Sequence, residues 1–131
     1  MYEFNYHRAT SIADAAAKLA AASDAKLMAG GQTLIAALKL RLASPSDIID
    51  LRGVAELRGI RKDGGAISIG AMSTHAEVAS SKDVLQGVPA LANLAASIGD
   101  PMVRNMGTLG GSVANNDPAA DYPAGEYAQK I

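Results

Sequence analysis

Apolar residues recur with the period of a helix in two segments near the start of the chain. In SIADAAAKLAAAS the apolar positions lie three or four residues apart, and Ser11 and Asp14 have the spacing of a capping box at the helix start. Leu34, Leu38 and Leu42 then lie four residues apart. This spacing predicts a second amphipathic helix, which ends before ASPS.

Two short apolar runs flank the second of these helices and predict buried strands. The run AKLMA stops at the paired glycines Gly30 and Gly31, and the run DIIDL follows the helix. The order strand, glycine turn, helix, strand predicts a βαβ unit. Its two strands are therefore expected to be parallel, with a right-handed crossover.

The pattern changes after Gly53. ELRGIRKDGGAISIG contains two apolar stretches around a DGG turn, which predicts a β-hairpin. Thr74 and Glu77 have capping-box spacing and predict the start of a short helix, THAEVASS. In VPALANLAASIG an early Pro and a late Gly bracket apolar positions at helical spacing. Together these patterns predict an α+β protein with a small βαβ lobe at residues 1–52 and a mixed lobe at residues 53–131.

The composition narrows the class of protein. Of the 131 residues, 49% are hydrophobic and 19% are charged, as in ordinary globular proteins. The chain has no cysteine, which excludes disulfides, ligation of iron–sulfur clusters by this chain and a cysteine nucleophile. The net charge of -1 makes nucleic acid a poor expected partner. The sequence shows no secretory signal and no apolar run of membrane-spanning length, so we expect a cytoplasmic protein without a membrane span.

Familiar catalytic motifs are missing from the sequence. It contains no G-x-x-x-x-G-K-[ST], no G-x-G-x-x-G, no H-E-x-x-H and no G-x-S-x-G. The two histidines, His7 and His75, are too few for a metal cluster, and we expect each at the surface or at a helix start. Asp117 and Asp121 are candidates for an acid–base pair, but nothing else resembles a hydrolase pocket. We therefore predict no catalytic side chain and no metal site.

The first of two Gly-Gly motifs, AGGQT, follows a predicted strand and precedes a predicted helix. Gly30 and Gly31 allow positive φ angles, which would turn successive backbone N–H groups toward one concavity. A helix N-terminus near Thr33 would add partial positive charge, and such a site suits phosphate without Lys or Arg. The simpler alternative is a tight turn between a strand and a helix.

The second motif, TLGGS, repeats this pattern, with the hydroxyls of Thr108 and Ser112 on either side of Gly110 and Gly111. The following ANNDPAADYP carries Asn and Asp side chains, which stabilise turns or bind sugar and ribityl hydroxyls. Two such glycine turns beside carboxylates predict a ligand with two phosphates and a polyol. FAD and NAD both fit this description, and the spacing does not separate them.

The motifs, taken in this order, resemble a known family. AGGQTL, GAMSTHAEVA and VRNMGTLGGSVANNDPAADYP are similar to the FAD-binding medium subunit of the molybdenum hydroxylases, which include aerobic carbon monoxide dehydrogenase and the xanthine dehydrogenases. The resemblance extends from about Phe4 to Pro123. It implies a vanillyl-alcohol-oxidase-like (PCMH-type) FAD-binding fold, which is an α+β fold.

The resemblance also implies which residues bind the cofactor. Both glycine motifs would hold the FAD pyrophosphate, and Asp121 matches a position that contacts FAD hydroxyls. The flavin would carry out the redox chemistry, while the protein binds and orients it. The first motif supplies Ala29, Gly30, Gly31, Gln32, Thr33 and Leu34, and the second supplies Thr108, Gly110, Gly111 and Ser112.

Two partner subunits follow from the same resemblance. A large subunit would oxidise the substrate at a molybdenum cofactor, and a small subunit would carry two [2Fe–2S] clusters. The FAD would take electrons from these clusters and pass them to NAD⁺, oxygen or a quinone. The absence of cysteine agrees with this division of labour.

The end of the sequence departs from the family pattern. Relatives continue after DYP with more of the flavin lobe and a separate C-terminal domain, whereas this sequence continues only with AGEYAQKI. We therefore expect a truncated member of the family with exposed apolar surface. The alternatives are a non-catalytic interaction module that kept the fold but does not hold FAD alone, and an NAD- or nucleotide-sugar-binding domain.

Overall fold

The computed structural model describes residues 1–123. The first part is a three-stranded sheet with two helices: β1 (Asn5–Arg8), α1 (Ile12–Ala21), β2 (Ala25–Met28), α2 (Leu34–Lys39) and β3 (Asp47–Asp50). The second part begins with a 3₁₀ turn (Ala55–Leu57) and a hairpin of β4 (Ile60–Asp63) and β5 (Ala66–Ile69). Helices α3 (His75–Ser80), α4 (Lys82–Gly87), α5 (Pro89–Ser97), α6 (Pro101–Met106) and α7 (Leu109–Asn115) follow the hairpin. The predicted division into lobes at residue 52 stays a prediction.

Strand β3 lies between β1 and β2 and runs parallel to both. Its residue Ile48 pairs with Tyr6 on one side and with Lys26 on the other. Because β3 is central, Ile48 and Ile49 are buried, with at most 1% of each exposed. The parallel pairing of β2 and β3 confirms the predicted strands of the βαβ unit. Strand β1 was not predicted, because its sequence NYHR has no apolar alternation.

Both predicted capping boxes lie at helix starts, but only one is complete. At α3, Thr74 Oγ1 accepts a hydrogen bond from the Glu77 N at 3.2 Å, and the Glu77 carboxylate accepts one from the Thr74 N at 2.7 Å. At α1, Ser11 accepts a bond from the Asp14 N at 3.0 Å. The Asp14 carboxylate, however, accepts from the backbone of Thr10. Helix α1 is therefore capped by Ser11 without the reciprocal bond.

Helix α2 ends earlier than the leucine spacing predicted. It stops at Lys39, and Arg41 has a φ of 58°, in the left-handed region. Leu34 and Leu38 pack in the core, whereas Leu42 is 77% exposed. The prediction of helix up to Leu42 was wrong because the third leucine of the row has no neighbour to pack against and the chain turns before it.

The hairpin and helix α5 match their predictions. Strands β4 and β5 are antiparallel around a two-residue loop that begins at Gly64, whose φ is 58°. Helix α5 begins at Pro89, and Gly99 follows it with a φ of 48°. Helices α4 and α6 were not predicted, although Ser81 and Asp100 cap them through their side chains. Each cap precedes the N–H that it accepts by three residues, which was the signal available in the sequence.

The hairpin and the helices after it enclose one apolar core. Helices α3, α4 and α5 contribute most of its buried side chains, and partly buried residues of β4 and β5 pack against them. Tyr122, which lies near the end of the described chain, belongs to the same core and is 2% exposed. The remaining buried members are Val78, Val84, Ala92, Ala95 and Ile98. Tyr122 therefore anchors the end of the described chain to this core.

Large apolar side chains are also exposed, as the sequence led us to expect. Leu40, Leu42 and Met102 are each at least 70% exposed. Leu27 and Ile35, beside the first glycine motif, are 46% and 38% exposed. Within residues 1–123, none of the helices has the length and apolar character that crossing a membrane requires.

Candidate functional site

The first glycine motif forms the loop between β2 and α2. Gly31 has a φ of 76°, a left-handed conformation that favours glycine. Its carbonyl oxygen accepts a hydrogen bond from the Ile35 N at 2.9 Å, so the chain turns into the helix directly after it. A Cβ at this position would also lie 2.7 Å from Ile35 Cδ1. The backbone angle therefore favours glycine at position 31, whereas the end of the flexible Ile35 side chain could move aside.

This loop carries backbone donors that have no acceptor among the described residues. Within residues 1–123, the five consecutive N–H groups from Gly30 to Leu34 donate to no protein acceptor. Thr33 precedes α2 as its N-cap residue, yet its hydroxyl makes no capping bond. Gln32 and Thr33 are both exposed. The loop thus presents a row of unpaired N–H groups and a free hydroxyl, which is the donor set expected of a phosphate-binding loop.

The second Gly-Gly motif is the first turn of helix α7, and the prediction of a glycine turn was wrong. Thr108 is the N-cap, and its Oγ1 accepts a hydrogen bond from the Gly111 N at 3.1 Å. Neither Gly110 nor Gly111 has a positive φ. Close packing requires Gly110 instead, because a Cβ there would lie 2.5 Å from the Cβ of Ala71. The spacing of Thr108 from Gly111 was the capping signal that the sequence offered.

The N–H groups at the start of α7 already have protein acceptors. Leu109 donates to the Ser73 O at 3.0 Å, and Gly110 donates to the Ala71 O at 2.9 Å. With the bond from Gly111 to Thr108, three consecutive N–H groups are used. The two motifs therefore differ in their chemistry, since unpaired backbone donors are found at the first motif. That the second motif holds phosphate stays a prediction.

The structure nevertheless brings the two motifs into direct contact. A Cβ at Gly30 would overlap the carbonyl oxygen of Met106 and lie 2.9 Å from the Cα of Gly107. A Cβ at Gly111 would lie 3.3 Å from the Cβ of Ala29. Small residues on both segments allow the two backbones to approach this closely. The unpaired donors of the first loop and the start of α7 thus border one surface.

A buried hydrogen bond connects the neighbourhood of Asp121 to the second motif. The Tyr122 hydroxyl lies 2.8 Å from Nδ1 of His75, and these residues are 2% and 5% exposed. The backbone N–H of His75 donates to the carbonyl oxygen of Gly107 at 3.0 Å. Asp121 itself is exposed. The residue before Thr108 and the residue after Asp121 are therefore both bound to His75.

Burial favours the neutral form of both side chains. Desolvation lowers the pKa of His75 below its ordinary value of 6.5, although the negative charge of Asp121 opposes the shift. Desolvation also raises the pKa of Tyr122 well above its ordinary value of 10.0, and Asp121 adds to this effect. His75 begins α3, which agrees with the expected position at the surface or at a helix start, and its ring is buried between Gly107 and Tyr122.

The other polar candidates have local roles. His7 Nε2 lies 2.7 Å from Asp47 Oδ1 on the neighbouring strand, and the side chain of His7 is 38% exposed, as expected. Asp117 accepts a hydrogen bond from the Ala119 N at 2.9 Å and so closes a turn. No group of three or more His, Asp or Glu side chains in residues 1–123 has a geometry that could hold a metal ion.

The comparison with protein families decides what the chain is. Residues 2–128 match the family described as the FAD-binding domain in molybdopterin dehydrogenase. The chain belongs to this family. The match includes both glycine motifs and Asp121. It confirms the resemblance found in the sequence, and the cofactor in the description of this FAD-binding domain is the predicted one.

Curated relatives of this FAD-binding domain are subunits of several dehydrogenases. The chain is 46% identical over 122 residues to the carbon monoxide dehydrogenase medium chain of Hydrogenophaga pseudoflava, which is 92% of this chain and 42% of the relative. It is 40% identical over 121 residues to the glyceraldehyde dehydrogenase medium chain of Sulfolobus acidocaldarius, covering 92% and 43%. It is 37% identical over 123 residues to the xanthine dehydrogenase FAD-binding subunit of Escherichia coli O157:H7, covering 92% and 42%. The chain thus spans less than half the length of these relatives.

Solved structures confirm the predicted FAD-binding fold. Carbon monoxide dehydrogenase from Hydrogenophaga pseudoflava, in a form that lacks the Mo-pyranopterin moiety of its cofactor, superposes with a TM-score of 0.91 at 46% identity. That match covers 93% of this chain and 43% of the other. Quinoline 2-oxidoreductase from Pseudomonas putida 86 gives a TM-score of 0.85 at 41% identity, covering 88% and 40%.

Proposed function

We propose that this chain holds FAD as part of the flavin subunit of a molybdenum-hydroxylase-type oxidoreductase. The observation that carries the proposal is the row of unpaired N–H groups from Gly30 to Leu34, packed against the second glycine motif. The family match and the similarity to medium chains of dehydrogenases support it. The residues present therefore fit the cofactor that the family implies.

The FAD pyrophosphate would be held chiefly by the first loop. Its N–H groups would donate to phosphate oxygens, and the Thr33 hydroxyl is free to join them. Gly110 and Gly111 would contribute by leaving room for the close approach of the two backbones, because their own N–H groups already have acceptors. The full set proposed to contact or shape the pyrophosphate site is Ala29, Gly30, Gly31, Gln32, Thr33, Leu34, Thr108, Gly110, Gly111 and Ser112.

Asp121 would bind a different part of the cofactor. A carboxylate repels phosphate but accepts hydrogen bonds from hydroxyl groups. Asp121 is exposed, and its chain neighbour Tyr122 is anchored to His75 beside the second motif. We therefore assign Asp121 to the hydroxyl groups of the cofactor.

The chain would bind and orient the cofactor within a larger complex. When bound, the flavin would accept electrons from the [2Fe–2S] clusters of a small partner subunit and pass them to NAD⁺, oxygen or a quinone. A large partner subunit would oxidise the substrate at its molybdenum cofactor. A cytoplasmic location belongs to the same proposal, and cell fractionation tests it.

Titration of the purified chain with three ligands tests the proposal. We expect FAD to bind, with a shifted flavin absorbance spectrum, and ADP to compete because it shares the pyrophosphate. Riboflavin, which has no phosphate, is expected to bind far more weakly. Gly65→Ala, a substitution in the hairpin loop where a Cβ meets nothing within 4 Å, is expected to bind FAD as the natural chain does.

The second candidate is an interaction module that keeps the fold without holding FAD by itself. The observation that favours it is the second glycine motif, where the N–H groups of Leu109, Gly110 and Gly111 already have protein acceptors. Absence of FAD binding at high concentration, in a chain that is shown to be folded, would support this candidate. Binding of riboflavin as tight as that of FAD would contradict the assignment of the first loop to the pyrophosphate.

A further inference from the structure

His75 and Tyr122 form a buried polar pair that the proposed contacts to FAD do not use. Their side chains are 5% and 2% exposed, the hydrogen bond between them is 2.8 Å long, and their ring centroids are 5.4 Å apart. Tyr122 lies in the apolar core of the second part, among Val78 and Ala95. Burying two polar groups costs free energy unless each has a partner. Here each is the partner of the other.

The same histidine also contacts the segment that leads into the second glycine motif. Its backbone N–H donates to the Gly107 carbonyl oxygen at 3.0 Å. Its ring lies against Gly107, since a Cβ on that glycine would lie 2.7 Å from Nε2. The next residue, Thr108, is the N-cap of α7. One side chain thus touches both the approach to Thr108 and the residue after Asp121.

We propose that His75 and Tyr122 are positioning residues, which hold Asp121 in a fixed place relative to the second glycine motif and thereby raise the affinity for FAD. The inference rests on the proposed function, because it assigns the pair a role at the same site. Neither side chain belongs to the set proposed to contact FAD. Tyr122 acts through Asp121, and His75 acts through Gly107 and Tyr122.

Loss of the Tyr122 hydroxyl tests this role. Tyr122→Phe keeps the ring in the core but removes the hydrogen bond to His75. We expect FAD to bind about threefold to tenfold more weakly, the effect of one lost hydrogen bond. Tyr6→Phe is the matched control, because it removes a hydroxyl bonded to Asp50 at 2.5 Å in the three-stranded sheet. It is expected to leave the FAD affinity unchanged.

A double-variant cycle separates positioning from general stability. If Tyr122 acts through Asp121, then Tyr122→Phe will weaken FAD binding much less in an Asp121→Ala background than in the natural chain. Additive effects of the two substitutions on the FAD dissociation constant would overturn the proposal. An unchanged FAD affinity in Tyr122→Phe would overturn it as well.

Amide hydrogen exchange gives a readout that does not depend on FAD. In the flavin-free chain, we expect Tyr122→Phe to speed exchange at the amides of Leu109 and Gly110, whose acceptors lie beside α3. Exchange at Leu51, whose N–H donates to Met28 in the first sheet, is expected to stay the same. A natural chain that binds no FAD would count against the proposed function. Unchanged exchange at Leu109 and Gly110 would count against the positioning role.

Discussion

Gly30 lies so close to Met106 that a Cβ at position 30 would overlap the Met106 carbonyl oxygen. This contact joins the loop after β2 to the end of helix α6. The obstacle is main chain, so it has no flexible end that could move aside. The distance between the two glycine motifs is therefore set by the absence of a side chain at one position.

Gly30→Ala is expected to destabilise the chain. The added methyl group must push the two backbones apart, and overpacking of this kind costs about 1–3 kcal/mol. Urea unfolding measures the loss of unfolding free energy, and Gly65→Ala should change it by less than about 0.5 kcal/mol. A Gly30→Ala chain as stable as the natural one would contradict the close approach of the two segments.

Substitution of Thr33 is expected to affect FAD binding, whereas substitution of Thr108 is expected to affect stability. Thr108 caps α7 through its hydroxyl, whereas the hydroxyl of Thr33 makes no capping bond. Thr108→Ala should therefore lower the unfolding free energy by about 1 kcal/mol. Thr33→Ala should lower it by less than about 0.5 kcal/mol, yet weaken FAD binding about threefold to tenfold.

Thermal melting and FAD titration of both variants check this contrast. Equal destabilisation by Thr33→Ala and Thr108→Ala would show that Thr33 also caps its helix. An unchanged FAD affinity in Thr33→Ala would remove its hydroxyl from the set of proposed phosphate contacts.

Local signals in the sequence predicted the elements of this fold that depend on neighbouring residues. The complete capping box at Thr74, the two-residue hairpin loop at Gly64 and the parallel pairing of β2 with β3 were all predictable. Strand β1 was not, because an edge strand with polar residues becomes a strand only through its pairing with β3. The local pattern of apolar and polar residues in β1 does not indicate that β3 is its partner.

The candidate site was predictable in its residues but not in its geometry. Two Gly-Gly motifs look alike in the sequence, yet they need glycine for different reasons. Gly31 has a positive φ, whereas at Gly110 the neighbouring Ala71 leaves no space for a Cβ. That difference depends on Ala71, which lies far away along the chain. The burial of His75 was missed for the same reason, because its partner Tyr122 is 47 residues away.

The stability of the chain is expected to depend on pH through His75 and Tyr122. Burial lowers the pKa of His75. The contribution of neutral His75 to the free energy of unfolding is therefore fully present above the ordinary pKa of 6.5 and is lost as the pH falls through the lowered pKa. Burial raises the pKa of Tyr122. The contribution of its neutral phenol to the free energy of unfolding is therefore fully present below the ordinary pKa of 10.0 and is lost as the pH rises toward the raised pKa.

Urea midpoints measured across this pH range check the dependence. Tyr122→Phe removes the phenol, so its stability should fall less steeply than that of the natural chain above pH 10.0. The comparison uses the difference between the two chains, since other groups also titrate there. Parallel alkaline curves for the two chains would contradict the burial of the Tyr122 hydroxyl.

Arg52→Ala is expected to destabilise the three-stranded sheet. Asp50 is 1% exposed, and Arg52 donates to its carboxylate from the backbone N and from Nε, each at 2.8 Å. Burial alone would raise the pKa of Asp50, but hydrogen bonds from Arg52 and Tyr6 outweigh burial and hold it below 3.8. Loss of the guanidinium leaves a buried carboxylate short of donors, which costs about 1–3 kcal/mol.

The acid limb of the unfolding curve provides a second test of this ion pair. Because its pKa is lowered, the Asp50 carboxylate stabilises the fold fully above pH 3.8, and this stabilisation is lost as the pH falls through the lowered pKa. Arg52→Ala should therefore move acid unfolding to higher pH. Arg61→Ala, at an exposed position on β4, is the control and should leave both measurements unchanged. Identical acid midpoints for Arg52→Ala and Arg61→Ala would contradict the role of Arg52.

The strand order β1-β3-β2 also constrains how the chain acquires its structure during synthesis. Of the three strands of this sheet, β3 leaves the ribosome last, and both others depend on it because β1 and β2 do not pair with each other. Until residue 50 has emerged, the nascent chain therefore holds two strands with no partner. We expect this sheet to form in a single step after β3 has been synthesised, when β3 pairs with β1 and β2 together.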